Sequence, residues 1–352
     1  MTRRANVVGL GLIGGSVASA LQAQGWHVTG SDCEPDHEQR ALEVGLISEI
    51  GTDSESEISF VATPVSEVPG TALRMLNETV GVVTDTGSVK SSIAKAVTSP
   101  RFVPGHPMAG SELVGLGGAD ASLFDGAVWV LTPAEGTPDS SLALVRGVVS
   151  SFGTDVVTLS AERHDSLVAV VSHVPHLTAA TLMWLADERA QGNSPMLRLA
   201  AGGFRDMTRI AAGDPGIWPD ICLANRSAIL DVLNDLGARI ERVRSLVESE
   251  DREGLLAMLA QAHAARVNLP NRVELPAELS ELRVPIPDRK GELGAITMLA
   301  TDLDVDILDI EIAHTAEGTR GVLILIVTTR SAQRLQEALA ARGYRPSVRE
   351  LE

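Results

Sequence analysis

Gly9-Leu10-Gly11-Leu12-Ile13-Gly14 is the stretch on which the fold turns. Its glycines are spaced Gly-x-Gly-x-x-Gly. Val7-Val8 precedes it as an apolar strand, and an apolar helical pattern over residues 14–24 follows. In that setting the first glycine permits a tight strand-to-helix turn. The second lets the backbone approach a pyrophosphate, and the third lets the helix pack close to the strand. The free N–H groups that open the helix would then face the phosphates. Gly9, Gly11, Leu12, Ile13 and Gly14 are therefore expected to hold a dinucleotide.

Moving outward, His27-Val28-Thr29-Gly30 reads as a second strand, and Asp32 lies just past it, eighteen residues after Gly14. An acid at that place accepts hydrogen bonds from the adenine ribose and repels a 2′-phosphate. Cys33 and Glu34 follow it, with no arginine, so NAD is expected rather than NADP. Thr63-Pro64 comes after the strand at 58–62, on the carboxyl edge of the sheet, where a cofactor contact and a plain turn both fit. Asp36 reads as a solvated turn residue.

Further strands at 80–84, 102–103, 128–131 and 156–159 alternate with helices, which implies a mostly parallel sheet. From 161 to 268 the texture changes: 165–187 and 218–248 repeat apolar residues at three- and four-residue spacing. Runs such as 229–236 are apolar enough to pack against a second copy, so a homodimer is expected. Residues 269–281 carry two prolines and little periodicity. Beyond them come a strand (282–286), a turn (287–291), a helix (292–302), strands at 306–313 and 321–328, a helix (332–342) and a strand (345–348). That βαββαβ order is ferredoxin-like. The expected architecture is an α/β Rossmann-type domain (1–160), an all-α dimerisation domain (161–270), a linker (271–281) and a βαββαβ domain (282–352).

Composition narrows the function. A net charge of −17 argues against a nucleic-acid partner. It also means that an anionic substrate must meet positive charge placed locally. The two cysteines, Cys33 and Cys222, are far apart and fit a reducing, cytoplasmic setting. The paired arginines before an apolar run mimic a signal peptide, but Gly9, Gly11, Gly14 and Gly15 break the run. No stretch of 18 or more uninterrupted apolar residues occurs, so no membrane span is expected. The His and Cys spacings form no zinc set, and no metal is expected.

Four more motifs lie downstream: Asp85-Thr86-Gly87-Ser88-Val89-Lys90, Gly105-His106-Pro107-Met108-Ala109-Gly110-Ser111-Glu112, Ser172-His173-Val174-Pro175-His176, and a run from Gly202 to Ala211 that contains Arg205, Asp206 and Arg209. With the stretch from Gly9 to Ser16 they form five motifs in an order that resembles the prephenate and arogenate dehydrogenases, over roughly residues 5–230. The C-terminal segment, with PDRKGELG at 287–294, resembles an ACT domain, a module that often binds amino acids.

The resemblance implies NAD-dependent oxidative decarboxylation of prephenate to 4-hydroxyphenylpyruvate in tyrosine biosynthesis. The alternative is arogenate, which carries an amine in place of the keto group and gives tyrosine directly. His106 would be the base that accepts the ring hydroxyl proton, since an imidazole pKa of about 6.5 lies close to working pH. Ser88 would contact the reacting hydroxyl and the nicotinamide, or cap the following helix. Arg209 would grip a substrate carboxylate with its fixed fork of donors. His176 and Ser172 would wall the pocket near the pyruvyl side chain, and Trp218 would reach it from the partner subunit or be a buried core residue. Asp206 would hold Arg209 or be a surface charge; Arg205 would pair with a surface acid, and His173 would pack. Tyrosine would bind the ACT-like segment near 288–294 and inhibit.

Two other classes are weaker. β-Hydroxyacid dehydrogenases use a lysine in the helical domain, and residues 161–268 contain none. A non-catalytic NAD or amino-acid sensor has no need of His106, Ser88 and Arg209 together. His27, His37, His164, His263 and His314 carry no motif and read as packing or surface residues. Asp214 and Asp220 read as solvated or helix-capping.

Overall fold

The apolar runs of the first hundred residues become strands because alternate residues bury on both faces of one sheet. In the computed structural model these are β1 (Arg4–Val8), α1 (Leu12–Ala23), β2 (His27–Ser31), α2 (Pro35–Glu43), β3 (Glu49–Ile50), β4 (Ile58–Val61), α3 (Val68–Glu78), β5 (Val82–Asp85), α4 (Ser91–Ala96) and β6 (Phe102–Val103). The structure describes residues 2–110, 115–190, 200–268, 279–287, 289, 291–314 and 320–351. Ser111, Glu112, linker residues 271–278, Asp288 and Lys290 lie outside them. The strands are parallel, in the order β3-β2-β1-β4-β5-β6. That is the Rossmann order, whose direction reverses between β1 and β4, the crevice where such sheets bind ligands. Ala5, Val7, Val28, Ile58 and Phe60 are buried at its centre.

One parallel sheet was expected through residue 159; there are two sheets. β7 (Gly105–Pro107) runs antiparallel to β8 (Val128–Leu131), which pairs in parallel with β9 (Asp155–Thr158). Between β8 and β9 lies α5 (Asp139–Ser150). Pro104 follows β6 and has no N–H to extend the ladder, so the chain leaves the first sheet there. His106 therefore lies within a strand, opposite Val130, rather than in a loop after one.

The helical part holds α6 (Ala161–Val168), a π-helical turn (Ala169–His173), α7 (Val174–Ala190), α8 (Gly202–Thr208), α9 (Trp218–Ala224), α10 (Arg226–Glu248) and α11 (Arg252–Val267). Single π turns inside α-helices recur at functional sites, and this one carries Ser172 and His173. The run Ala161–Ala190 is long and apolar enough to cross a membrane by length and composition. Its buried face carries His164, Asp165 and His173 in hydrogen bonds to other elements, as in the core helix of a globular unit.

The chain forms two compact units, Met1–Leu255 and Leu256–Glu352. In the second, β10 (Leu279–Pro287), α12 (Glu292–Asp302), β11 (Ile307–His314), β12 (Arg320–Thr328), α13 (Thr329–Ala341) and β13 (Ser347–Leu351) follow in βαββαβ order. The sheet is antiparallel, ordered β11-β12-β10-β13. Leu282, Val284 and Ile286 alternate inward from β10 onto Ile296, Leu299, Leu335 and Leu339 of the two helices. β10 begins at Leu279, three residues earlier than its apolar pattern suggests, because Ser280 and Glu281 still pair with β13.

Candidate active site

The turn after β1 is built around close approach. Gly9 has φ +92°, and a Cβ there would stand 2.5 Å from the carbonyl oxygen of Ala62 at the end of β4. A Cβ on Gly14 would stand 1.8 Å from the carbonyl oxygen of Gly9. Gly11 differs: a Cβ there would meet nothing within 4 Å. It lies on the rim of a cleft of about 850 Å³, together with Leu12, Ile13, Thr63 and Pro64. The first turn of α1 has no side-chain cap, so its N–H groups remain for a ligand. The Thr63 hydroxyl is buried and has no partner among the described residues. A pyrophosphate fits this cradle on shape and on donors.

Asp32 stands at the end of β2. Its carboxylate accepts the Leu10 N–H at 2.6 Å and the Glu34 N–H at 3.0 Å, and His37 lies 3.3 Å away. Burial works to raise its pKa; the two amides and His37 outweigh that and hold it below the usual range. The group is an ionised acceptor that also shapes the glycine turn. Oδ1 faces Glu34, Cys33 and His37, while Oδ2, which accepts the Leu10 N–H, keeps a lone pair for a further donor.

His106 lines the same cleft from β7 and is largely buried. Its Nδ1 lies 2.8 Å from Nε2 of His164, whose Nδ1 lies 2.8 Å from Oδ1 of Asp165. A carboxylate only accepts, so His164 Nδ1 carries a proton. His164 Nε2 is then the acceptor, and His106 Nδ1 donates to it. His106 is left with a bare Nε2 as its one uncommitted ring nitrogen. Burial first, then His164, Lys90 and His173, push its pKa well below 6.5, so the ring is neutral.

Ser88 also lines the cleft, but it is not the cap of α4. That helix starts at Ser91, and its free amides are taken by Asp165, whose carboxylate accepts the Lys90 N–H and the Ser91 N–H at 2.8 Å each. Lys90 is wholly buried. Its ammonium pairs with Asp85 and donates to the carbonyl of Gly105 at 2.7 Å, which fixes the strand that bears His106.

The helical wall supplies Ser172, His173, His176, Arg209 and Trp218. The His176 and Trp218 rings stack with centroids 3.5 Å apart and an 11° tilt. Trp218 thus reaches the pocket within its own chain, where a partner-donated or core residue was expected. Burial lowers the His176 pKa, so that ring is neutral as well. Arg209 sits exposed on a short turn (Arg209–Ala212) at the cleft edge. Among the described residues Arg205 has no acid partner; its Nε donates to the Ala200 carbonyl at 3.2 Å. Asp214 and Asp220, read as solvated or helix-capping, both line the cleft, and Asp214 is a cap as expected, on the short turn Pro215–Ile217. Asp214 accepts the Gly216 N–H, and Asp220 accepts the Ser66 hydroxyl at 2.5 Å.

Residues 17–158 match the family model for the prephenate dehydrogenase nucleotide-binding domain, and residues 160–261 match that for the prephenate dehydrogenase dimerization domain. The chain belongs to the prephenate dehydrogenase family. Among its relatives is the prephenate dehydrogenase of Bacillus subtilis, 34% identical over 96% of this chain and 95% of that protein. The crystal structure of prephenate dehydrogenase from A. aeolicus in complex with hydroxyphenyl propionate and NAD+ superposes with a TM-score of 0.72. It is 29% identical and covers 77% of this chain and 99% of that one. Synechocystis arogenate dehydrogenase gives 0.64 at 30% identity, covering 75% and 98%.

The motifs contain most of the cleft-facing residues and, behind them, Asp85 and Lys90, but not His164, Asp165 or Asn225. His164, Asp165, Lys90, Asp85 and Asn225 are buried and polar. Asn225 shows how such a residue acts: its Nδ2 donates to the Asp165 carbonyl at 2.9 Å and to His173 Nδ1 at 3.1 Å. His173 must then carry its proton on Nε2, which is buried and has no partner among the described residues. It is a donor at the cleft wall rather than plain packing. One signal was available in the sequence: His164-Asp165 is a titratable pair at the start of an apolar helix.

Proposed function

We propose that this protein is a prephenate dehydrogenase that oxidises prephenate with NAD and releases CO2 to leave 4-hydroxyphenylpyruvate. One observation carries the proposal: the Gly9–Gly14 turn and His106 open on one cleft, and the imidazole is held from behind so that Nε2 is left for a ligand. The open space at Gly11, the uncapped start of α1 and the partnerless Thr63 hydroxyl suit the pyrophosphate of NAD, and Asp32 suits its adenine ribose. When bound, NAD supplies the hydride acceptor.

The remaining work falls to side chains of this chain. His106 Nε2 accepts the ring hydroxyl proton as the hydride leaves. Ser88 hydrogen-bonds beside that hydroxyl. Arg209 binds a substrate carboxylate and supplies the local positive charge that a protein of net charge −17 needs. Ser172 and neutral His176 flank the pyruvyl side chain, and Trp218 fixes the His176 ring by stacking.

Arogenate is the second reading. It is favoured by the two acids on the cleft, Asp214 and Asp220, which could meet an amine. A homodimer is supported by the dimerization-domain match and by the exposed Trp184, Met207 and Leu223. The free thiols of Cys33 and Cys222 suit the reducing cytoplasm. The antiparallel βαββαβ unit supports an ACT-like module that takes tyrosine near 288–294 and inhibits.

The test is NADH formation with prephenate and with arogenate side by side, with and without tyrosine. Turnover is expected with prephenate. Faster turnover with arogenate would favour the second reading, and none with either would refute both. Tyrosine should inhibit the full chain but not a chain lacking residues 280–352. Equal inhibition of both would move tyrosine to the active site.

A further inference from the structure

His106 poses a chemical problem as a base. It is buried, and the charged or titratable groups facing it are His164 and Asp165 on α6, Lys90 and Asp85 beside α4 and β5, and His173 on the π turn. A proton arriving at Nε2 would leave an imidazolium in a dry site close to the buried ammonium of Lys90. Such a charge is costly unless it can move next to an anion.

We propose that His164 and Asp165 form a buried proton relay behind His106, which carries the positive charge from the cleft to a site beside a carboxylate. This rests on the dehydrogenase reading above. The substrate O–H bond breaks, and an N–H bond forms at His106 Nε2. The His106 Nδ1–H bond then breaks, and an N–H bond forms at His164 Nε2. The hydride leaves with its electron pair for the nicotinamide, so the electron balance is that of the dehydrogenation. His106 ends neutral, and His164 ends as an imidazolium whose Nδ1–H already points at Asp165, 2.8 Å away. When product leaves, the reverse shift returns a proton to His106 Nδ1 and the Nε2–H bond breaks, its proton passing to water in the cleft, which restores the base.

Asp165 is fixed for this task. Two backbone amides from the start of α4 hold its carboxylate, and its pKa is low: burial raises it, but the hydrogen bonds from His164, Lys90 and Ser91 outweigh that. It stays an anion in a place that water does not reach. The arrangement has the logic of a nucleophile–histidine–aspartate triad, with a second imidazole in the middle. His164 and Asp165 are positioning residues, since neither touches substrate.

The decisive variant is His164→Gln. Its amide oxygen can still accept the His106 Nδ1–H, but it cannot carry a proton onward. The relay predicts NAD affinity and thermal stability near those of wild type, KM for prephenate little changed, and kcat lower by about 10²-fold. It also predicts that a solvent deuterium proton inventory, curved for wild type, becomes linear in the variant. An unchanged kcat, or a curved inventory that survives the substitution, would overturn it. A second measurement needs no substrate. Imidazole 15N resonances of the wild-type protein near neutral pH should show His106 and His164 both protonated on Nδ1, with Asp165→Asn disturbing His164. A His106 proton on Nε2 would overturn the relay even if prephenate turns over. Failure of wild type to oxidise prephenate, with these tautomers intact, would instead count against the proposed function.

Discussion

The carboxylate of Asp165, on the first helix of the helical part, accepts the Lys90 N–H at 2.8 Å on a loop of the nucleotide-binding part. With the Ser91 N–H it caps α4 from across the cleft. The same lysine buries its ammonium against Asp85 and the Gly105 carbonyl. A buried ion pair therefore holds the start of the strand that bears His106, beside its ladder with β8. Lys90→Met leaves Asp85 charged, buried and short of its cation. Loss of one partner of a buried pair costs about 3–5 kcal/mol. Denaturant unfolding should show a midpoint lowered to match; a midpoint equal to wild type would mean that the pair does not hold the strand.

Arg209 stands exposed at the cleft edge. Loss of a charge-assisted contact costs about 1.5–3 kcal/mol. Arg209→Ala should therefore raise KM for prephenate by roughly ten- to a hundredfold, with NAD affinity unchanged. Steady-state kinetics against both ligands checks this, and an unaltered KM would remove Arg209 from the substrate site.

Asp32 holds the Leu10 amide, and in the proposed function it also receives the adenine ribose. Asp32→Ala should weaken NAD and narrow its advantage over NADP, because the carboxylate that repels a 2′-phosphate is gone. Titration of both dinucleotides by fluorescence tests it. A wild-type preference for NADP would contradict the assignment.

Burial lowers the His173 pKa to about 4; His164 adds to that, and Asp165 opposes it. In the unfolded chain the group titrates near the ordinary imidazole value of 6.5. Between those values the unfolded state binds more protons, so stability is full above pH 6.5 and falls as pH drops towards 4. His106 acts in the same direction. Melting temperature should fall through this window, and less steeply in His173→Gln. An identical slope in the variant would show that His173 is not a source of the acid lability.

The pattern of apolar runs was enough to read β1, β2, β4 and β5 and the βαββαβ order, because burial on a parallel sheet or against a pair of helices leaves a local periodicity. The turn of Gly9 to Gly14 was legible for the same reason: Gly9 answers to the adjoining strand end at Ala62 and Gly14 to the Gly9 carbonyl, while Gly11 is left open to the cleft. The split into two sheets was not, since β6 is only two residues long and Pro104 reads as an ordinary turn. Nor was the pairing of His106 with His164. Those residues lie 58 apart in sequence; the His164-Asp165 pair marks a titratable site at a helix start, but nothing local names His106 as its partner. Trp218, expected from the partner subunit or as a core residue, stacks on His176 of its own chain; a motif records which residue reaches a pocket and not the path by which it arrives.

The account stands most directly on turnover by His106→Asn measured against wild type, with saturating NAD and varied prephenate. The side chain of asparagine retains a hydrogen bond but cannot take the hydroxyl proton. The predicted result is a fall in kcat of about 10²–10⁴-fold with KM and NAD affinity little changed. A variant that turns over prephenate at the wild-type rate would contradict the assignment of His106 as the base.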